Sequence, residues 1–310
     1  MKVIVSITTI PKRMERLKEN IPSILNQKYP FDVLMVNVPD TITNEETIFY
    51  NSIRELDNRI IINKVDDCWR SCNKLIPTLK LFPDDIIITM DDDIYYPSDC
   101  VGTLMRQHIK TPDCIVAQET NPLIIEGDRI RNIYAVDIKL MQKSWARYLS
   151  NCCLFPPHVF DGTELFNYDK MMEVTKGSHD EFWFWINSTL NGVMVIGLNY
   201  VKHFRFNTIS EWNNGEYRLC DINTDPDIIQ YHEEQLNKLY GEQILKLTDE
   251  RKTEFFVDKN NIYAFIHLLP YINRYYGDRY KITKVGLDNG WSEFLDDILD
   301  GYLSLEWDGI

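Results

Sequence analysis

No stretch of this 310-residue chain approaches the roughly 18 consecutive apolar residues a membrane-spanning helix requires. Internal repeats and low-complexity segments are also missing, which excludes fibrous and disordered architectures. Positive charge is scarce: 33 Lys and Arg stand against 47 Asp and Glu, a formal net charge of −14. That balance argues against nonspecific binding to nucleic acid or to an anionic membrane. The seven cysteines (Cys68, Cys72, Cys100, Cys114, Cys152, Cys153 and Cys220) are odd in number, so they cannot all pair. A reducing compartment is the simplest reading. Cys68 and Cys72 are four apart, but no second pair stands at zinc-site spacing, which disfavours structural zinc.

The opening Met1-Lys2-Val3-Ile4-Val5 runs straight into a strand pattern, without the basic region and apolar stretch of a secretory signal. The expectation is a cytoplasmic protein. In that setting the glycosylation triplet Asn187-Ser188-Thr189 carries no meaning. Hydrophobic residues make up 44% and charged residues 26%, an ordinary globular balance, so the chain has the means to build a core. Its 7 Trp, 17 Tyr and 14 Phe suit either a thick core or a carbohydrate-handling cleft.

Hydrophobic periodicity predicts strands over 3–7, 33–38, 60–65, 85–90 and 114–117, alternating with helices over 14–27, 47–56, 73–82 and 98–108. Pro22 is expected to kink or divide the first helix. This βα alternation implies an α/β fold, a mostly parallel sheet with helices on both faces. Ligands bind such sheets beyond the carboxyl ends of the strands, so motifs at strand exits gain weight. Beyond residue 119 the pattern loosens, with strands expected over 134–138 and 193–196 and helices over 164–174 and 180–191. From residue 221 an acidic, mainly helical tail follows, with helices over 225–240 and 261–276. The organisation expected is therefore one α/β domain over 1–220 and a helical appendage over 221–310.

The strongest chemical signal is Met90-Asp91-Asp92-Asp93-Ile94-Tyr95-Tyr96-Pro97, placed directly after the most apolar strand. Three consecutive carboxylates repel one another unless solvated or neutralised by a cation. Alternation along an extended chain points Asp91 and Asp93 to one side, where both reach a single metal. Oxygen-only ligands suit Mg²⁺ or Mn²⁺ and leave positions open for phosphate oxygens. The alternative is a solvated acidic turn.

At the exit of the first strand, Thr8, Thr9 and Arg13 combine small hydroxyls with a cation able to pair with phosphate. Asp66 and Asp67 mark the third exit, ahead of Asn73-Lys74. Downstream, Gly177-Ser178-His179-Asp180-Glu181 puts two carboxylates at a helix start, either as a simple cap or as a general base beside Phe182 and Trp183. His203 follows a strand-like segment and is a candidate metal ligand beside its ordinary structural role.

Taken in order, Thr-Thr-Ile-Pro-x-Arg, Asn-Lys-Leu, Asp-Asp-Asp-Ile-x-Tyr-Pro and Gly-Ser-x-Asp-Glu-x-Trp resemble the motifs of GT-A-type nucleotide-sugar glycosyltransferases, closest to bacterial-type surface-polysaccharide enzymes. The resemblance covers residues 2–205. It implies a GT-A-like fold, with Asp91, Asp92 and Asp93 as the metal-binding DxD motif for Mn²⁺ or Mg²⁺, so that the expected metal set is Asp91 and Asp93, with His203 added from the residue reading alone. It further implies Thr8, Thr9, Arg13, Asp66 or Asp67, and Lys74 around the nucleotide, where Asp91 and Asp92 are also expected. It implies Asp180 or Glu181 as the base, of which Asp180 is the choice, with Glu181 orienting it or the acceptor. The implied reaction is inverting transfer of a sugar from a nucleoside-diphosphate sugar, UDP by family frequency, to a hydroxyl of a glycan acceptor. The segment from Asp66 to Cys72 departs from the family's shorter Gly/Pro-containing connection.

Two other classes stand beside this one. A nucleotidyltransferase also places acidic ligands at a strand exit, but it usually needs a glycine-rich basic loop, and Thr8–Arg13 contains no glycine. A noncatalytic carbohydrate-binding protein on the same fold would need neither the acidic triplet nor Asp180.

Overall fold

The computed structural model describes residues 1–121, 123–131, 141–148, 152–198, 207–208, 222–223 and 225–304. The strand expected over 134–138 lies outside the described residues. In the first half, β1 (Val3–Thr8), β2 (Val33–Pro39), β3 (Ile60–Val65) and β4 (Ile86–Met90) alternate with α1 (Met14–Leu25), α2 (Asn44–Arg54) and α3 (Ile76–Leu81). Then come β5 (Ile94–Tyr95), α4 (Cys100–Lys110), β6 (Ile115–Ala117), β7 (Thr120–Asn121), β8 (Ile124–Glu126) and β9 (Arg129–Arg131). The middle contains β10 (Gln142–Ser144), β11 (Arg147–Tyr148), β12 (Cys152–Phe155), α5 (Tyr168–Thr175), α6 (Asp180–Leu190), β13 (Val195–Gly197) and β14 (Asn207–Thr208). The last part is α7 (Pro226–Glu250), β15 (Thr253–Val257), α8 (Ile262–Tyr276), β16 (Tyr280–Lys284) and α9 (Asn289–Ser304).

Ten of these strands form one sheet in the order β16-β15-β10-β13-β6-β12-β4-β1-β2-β3. β12 and β10 run against both of their neighbours, and the other eight point one way. The sheet is therefore mostly parallel, as the βα alternation predicts. Ile86–Met90 is buried at every position, and β1 is buried from Val3 to Ile7, the pattern of strands covered on both faces.

The chain leaves β1 toward β2 on one side, while β4 lies on the other side of β1. Right-handed crossovers then put α1 and α2 on one face and α3 on the opposite face. The crevice between the β1 and β4 exits is thus a point where the winding reverses, the place where open α/β sheets receive ligands.

Several elements differ from the sequence reading. α1 runs unbroken through Pro22, because Leu17, Ile21 and Ile24 on both sides of the proline are buried on one face. The helix expected over 73–82 begins only at Ile76; Asp67–Lys74 instead forms two short 3₁₀ turns joined by a kink at Arg70, whose φ is 49°. α2 starts earlier than expected on a capping box, in which Thr43 accepts from the Glu46 N–H and Glu46 accepts from the Thr43 N–H. The tail contains the expected helices but also β15 and β16, which extend the main sheet through β15–β10 pairing. The glycosylation triplet lies within α6, where Asn187 is buried and its Nδ2 donates to the Trp183 carbonyl.

Two apolar clusters result. The larger one fills the space around the sheet and includes Leu236, Tyr240 and Ile244 of α7. The smaller one gathers Phe255, Val257, Ile262, Phe265, Leu269, Ile272, Tyr276 and Leu295 from β15, α8 and α9. No helix among the described residues is long and apolar enough to cross a membrane.

Candidate active site

The acidic triplet leaves β4 as a turn rather than as extended strand, so its three carboxylates diverge. Asp91 Oδ1 pairs with Lys74 Nζ at 2.8 Å. Asp92 is buried and pairs with Arg13 at 2.8 Å, while Asp93 is about one-third exposed and lies 3.7 Å from the same guanidinium. Strict alternation would have grouped Asp91 with Asp93 and set Asp92 apart; the turn instead gives Asp91 to Lys74 and leaves Asp92 and Asp93 sharing Arg13.

Lys74 is the hinge of the arrangement. Its ammonium also lies 3.2 Å from Asp180 Oδ2. Burial alone would lower this lysine's pKa, but Asp180, Asp91 and Glu181 outweigh it and push the pKa well up, so Lys74 is charged. Its backbone is fixed from below, where Ser6 Oγ donates to the Lys74 carbonyl at 2.7 Å. Ser6 in turn shares a buried polar network with Thr78, Asn37 and Asn63. The cation expected beside the nucleotide is thus held between two carboxylates.

Asp180 opens α6 and is almost fully buried. Burial first, then the Glu181 charge, pushes its carboxyl up, while Lys74 opposes. At a helix start the dipole favours the charged form; here desolvation wins and leaves a stronger base than an exposed aspartate. Gly177 makes the approach possible. Its φ is +71°, and a Cβ there would come within 2.8 Å of Met172 Sδ. His179 stacks on Phe182 at 5.5 Å and lies 5.4 Å from His232 of α7. His232 Nε2 donates to the Thr175 carbonyl at 3.1 Å, closing the end of α5.

The pKa directions around the triplet share one cause. Burial raises Asp91, with Lys74 opposing, and raises Asp92, with Arg13 opposing. Asp93 is raised by burial and then by Asp92. Burial lowers Arg13, but Asp92 and Asp93 more than reverse it.

Of the remaining expected nucleotide residues, Thr8 and Thr9 lie at the β1 exit, whereas Asp66 follows β3, two strands away from β1. Thr8 Oγ1 donates to the Asn37 carbonyl on β2 at 3.2 Å, and Thr9 is buried beside Asp92. Asp66 is exposed and accepts the Cys68 N–H at 2.9 Å as the cap of the 3₁₀ segment. That bond holds its carboxyl below the usual range. The side chain of Asp67, and His203 altogether, lie outside the described residues.

The sequence reading missed the residues that hold the acidic turn. Tyr96 OH accepts the Asp91 N–H at 2.6 Å, and Asn20 Nδ2 donates to the Asp91 carbonyl at 3.0 Å. Ser23 accepts the Tyr96 N–H, and Gln27 donates to Pro97 while accepting from Val101. A signal existed. Asn20 and Ser23 stand at helical spacing within α1, and Gln27 continues that spacing just past its end, where buried polar residues need partners.

A divalent cation fits this donor set. Asp91 and Asp93, both part-exposed, offer hard oxygen ligands, and the Asp93 charge that raises the Asp91 carboxyl is what a bound cation relieves. Among the described residues no three His, Cys, Asp or Glu side chains gather as a metal cluster. A cation here would therefore complete its coordination with water or phosphate oxygens.

No protein-family profile and no curated protein matches the chain. Among solved structures it is similar to residues 1–349 of TarS from S. aureus, at 12% identity, covering 89% of this chain and 81% of that one, with a TM-score of 0.47. The same fragment in complex with UDP-GlcNAc aligns at 11% identity over 89% of this chain and 82% of that one, with a TM-score of 0.44. The mannosyltransferase PcManGT from Pyrobaculum calidifontis, in complex with GDP-Man and Mn²⁺, aligns at 13% identity over 100% of this chain and 88% of that one, also with a TM-score of 0.44.

Proposed function

We propose that this protein is a glycosyltransferase that moves a sugar from a nucleoside-diphosphate sugar, UDP preferred, to a hydroxyl of a glycan acceptor with inversion. One observation carries the reading: Lys74 lies 2.8 Å from Asp91 and 3.2 Å from Asp180, so the acidic strand exit and the helix-start carboxylate belong to one site. A phosphate-facing group and a candidate base must lie together if one displacement is to form and break bonds at the same carbon.

In this reading Asp180 takes the proton from the acceptor hydroxyl as that oxygen attacks the anomeric carbon. Its raised pKa suits the task, and Lys74 keeps it ionised and fixed in place until it does so. Glu181 orients Asp180 or the acceptor. Asp93, with Asp91, holds Mn²⁺ or Mg²⁺, which when bound offsets the charge of the leaving diphosphate. Arg13, restrained by Asp92, adds positive charge at the same exit, and Thr8, Thr9, Asp66 and Asp67 border the nucleotide. Residues 1–220 form the transferase domain, with 221–310 appended to it.

Thermal shift with UDP, GDP, CMP and ATP, each with and without Mn²⁺, tests the assignment. Metal-dependent stabilisation by a nucleoside diphosphate is expected, and stabilisation by the triphosphate alone would point to nucleotidyl transfer instead. NMR of the first-formed product tests the stereochemistry, because retention of the donor's anomeric configuration would rule out single displacement.

A further inference from the structure

Cys100 and Cys152 are 52 positions apart in sequence, yet their sulfurs lie 2.9 Å from each other, and both side chains are fully buried. Their backbones explain the meeting. Cys152 opens β12 and lies opposite Met90, the last residue of β4. Cys100 opens α4, its N–H donating to the Pro97 carbonyl at 3.0 Å. The acidic turn thus departs beside one sulfur and returns to the other. Cys153, next along β12, faces the other side of the sheet.

We propose that Cys100 and Cys152 form a disulfide that closes the base of the acidic turn when the chain folds in the presence of a disulfide oxidant. A disulfide bond of about 2.05 Å requires the sulfurs to approach by less than ~1 Å, within the reach of two cysteine side chains. The thiols together lose two protons and two electrons. Glutathione disulfide accepts both and leaves as two glutathione thiols. Full burial keeps reagents from either sulfur in the finished fold, so the bond forms during folding and is protected afterwards. The seven cysteines then divide into one pair and five thiols.

The test is to refold reduced, denatured chain either with oxidised and reduced glutathione or with dithiothreitol, then to map peptides without reduction. Expected in the glutathione sample are a Cys100–Cys152 linked peptide and five thiols by titration in denaturant, against seven in dithiothreitol. The melting temperature should rise by roughly 5–10 °C, the shift expected for closing a loop of this size. Cys100→Ala should abolish the link, while Cys153→Ala should keep it. If Cys100→Ala does not refold, the wild-type peptide map and thiol count decide alone. Seven thiols after oxidative refolding, or a dominant link between other cysteines, would overturn the proposal. None of these readouts depends on nucleotide or metal binding.

Discussion

At the scale of single residues, charge placement matters more than charge count. Three aspartates in a row are legible in the sequence as a candidate locus of chemistry only because they follow a strand. What the sequence withholds is their division of labour, since a turn and a strand distribute the same three side chains differently. Lys74 shows the cost of that ambiguity: a lysine in sequence has no visible partner, and its two carboxylates come from positions 17 residues away and on a different helix. Lys74→Met should destabilise the protein by about 3 kcal/mol, because it leaves buried Asp180 and part-exposed Asp91 without their cation. Urea unfolding measures this, and a loss below 1 kcal/mol would show that the pair is not held as described. Asp93→Asn is the contrasting case. Asp93 is part-exposed and only loosely placed near Arg13, so its replacement should leave the urea midpoint nearly unchanged while removing the Mn²⁺-dependent thermal shift with UDP. An unaltered shift in a folded variant would take Asp93 out of the metal site.

At the scale of elements, the long periodic helices and the apolar strands β1 to β4 are readable because each buries one pattern against the sheet. β12 is not readable: four buried residues, Cys-Cys-Leu-Phe, give neither alternation nor length, yet the strand lies beside β4 at the centre of the sheet. β15 and β16 escape for a related reason, as five-residue strands between strong helices. The segment before Asp180 was legible as a turn through Gly177, but its purpose is steric. Gly177 adopts φ +71° where a Cβ would meet Met172 at 2.8 Å, so Gly177→Ala combines backbone strain with a clash. The expected loss is about 1–3 kcal/mol in chemical denaturation, together with slower turnover, because the segment it distorts carries Asp180. A variant with wild-type stability would mean that Met172 yields freely and that the glycine is not required.

At the scale of the whole molecule, the C-terminal third does two things. β15, α8, β16 and α9 enlarge the sheet around their own apolar cluster, whereas α7 joins the main core and reaches the neighbourhood of the candidate base. The second role is invisible in sequence, where His232 is one histidine in an acidic helix. In the fold it is buried, stacks on Phe182 at 5.4 Å and donates to Thr175. Burial lowers its pKa to about 4, the Thr175 carbonyl opposes, and Arg147 and Lys176 lower it further. The unfolded chain binds this proton below about pH 6.5 and the native chain does not until about pH 4. Between those values the unfolded state therefore carries more protons, so native stability is fully present above pH 6.5 and is lost as the pH falls. From pH 7.5 to 5 the contribution of His232 amounts to about 2 kcal/mol. His232→Gln retains a donor for Thr175 but has no proton to gain. The wild type should consequently lose about 2 kcal/mol more than this variant between pH 7.5 and pH 5 in urea unfolding. The comparison cancels the carboxylates near Lys74, whose raised pKa values act in the opposite sense in both proteins. Equal pH slopes would mean that His232 is protonated within the fold, and that α7 does not hold the end of α5 through a neutral imidazole.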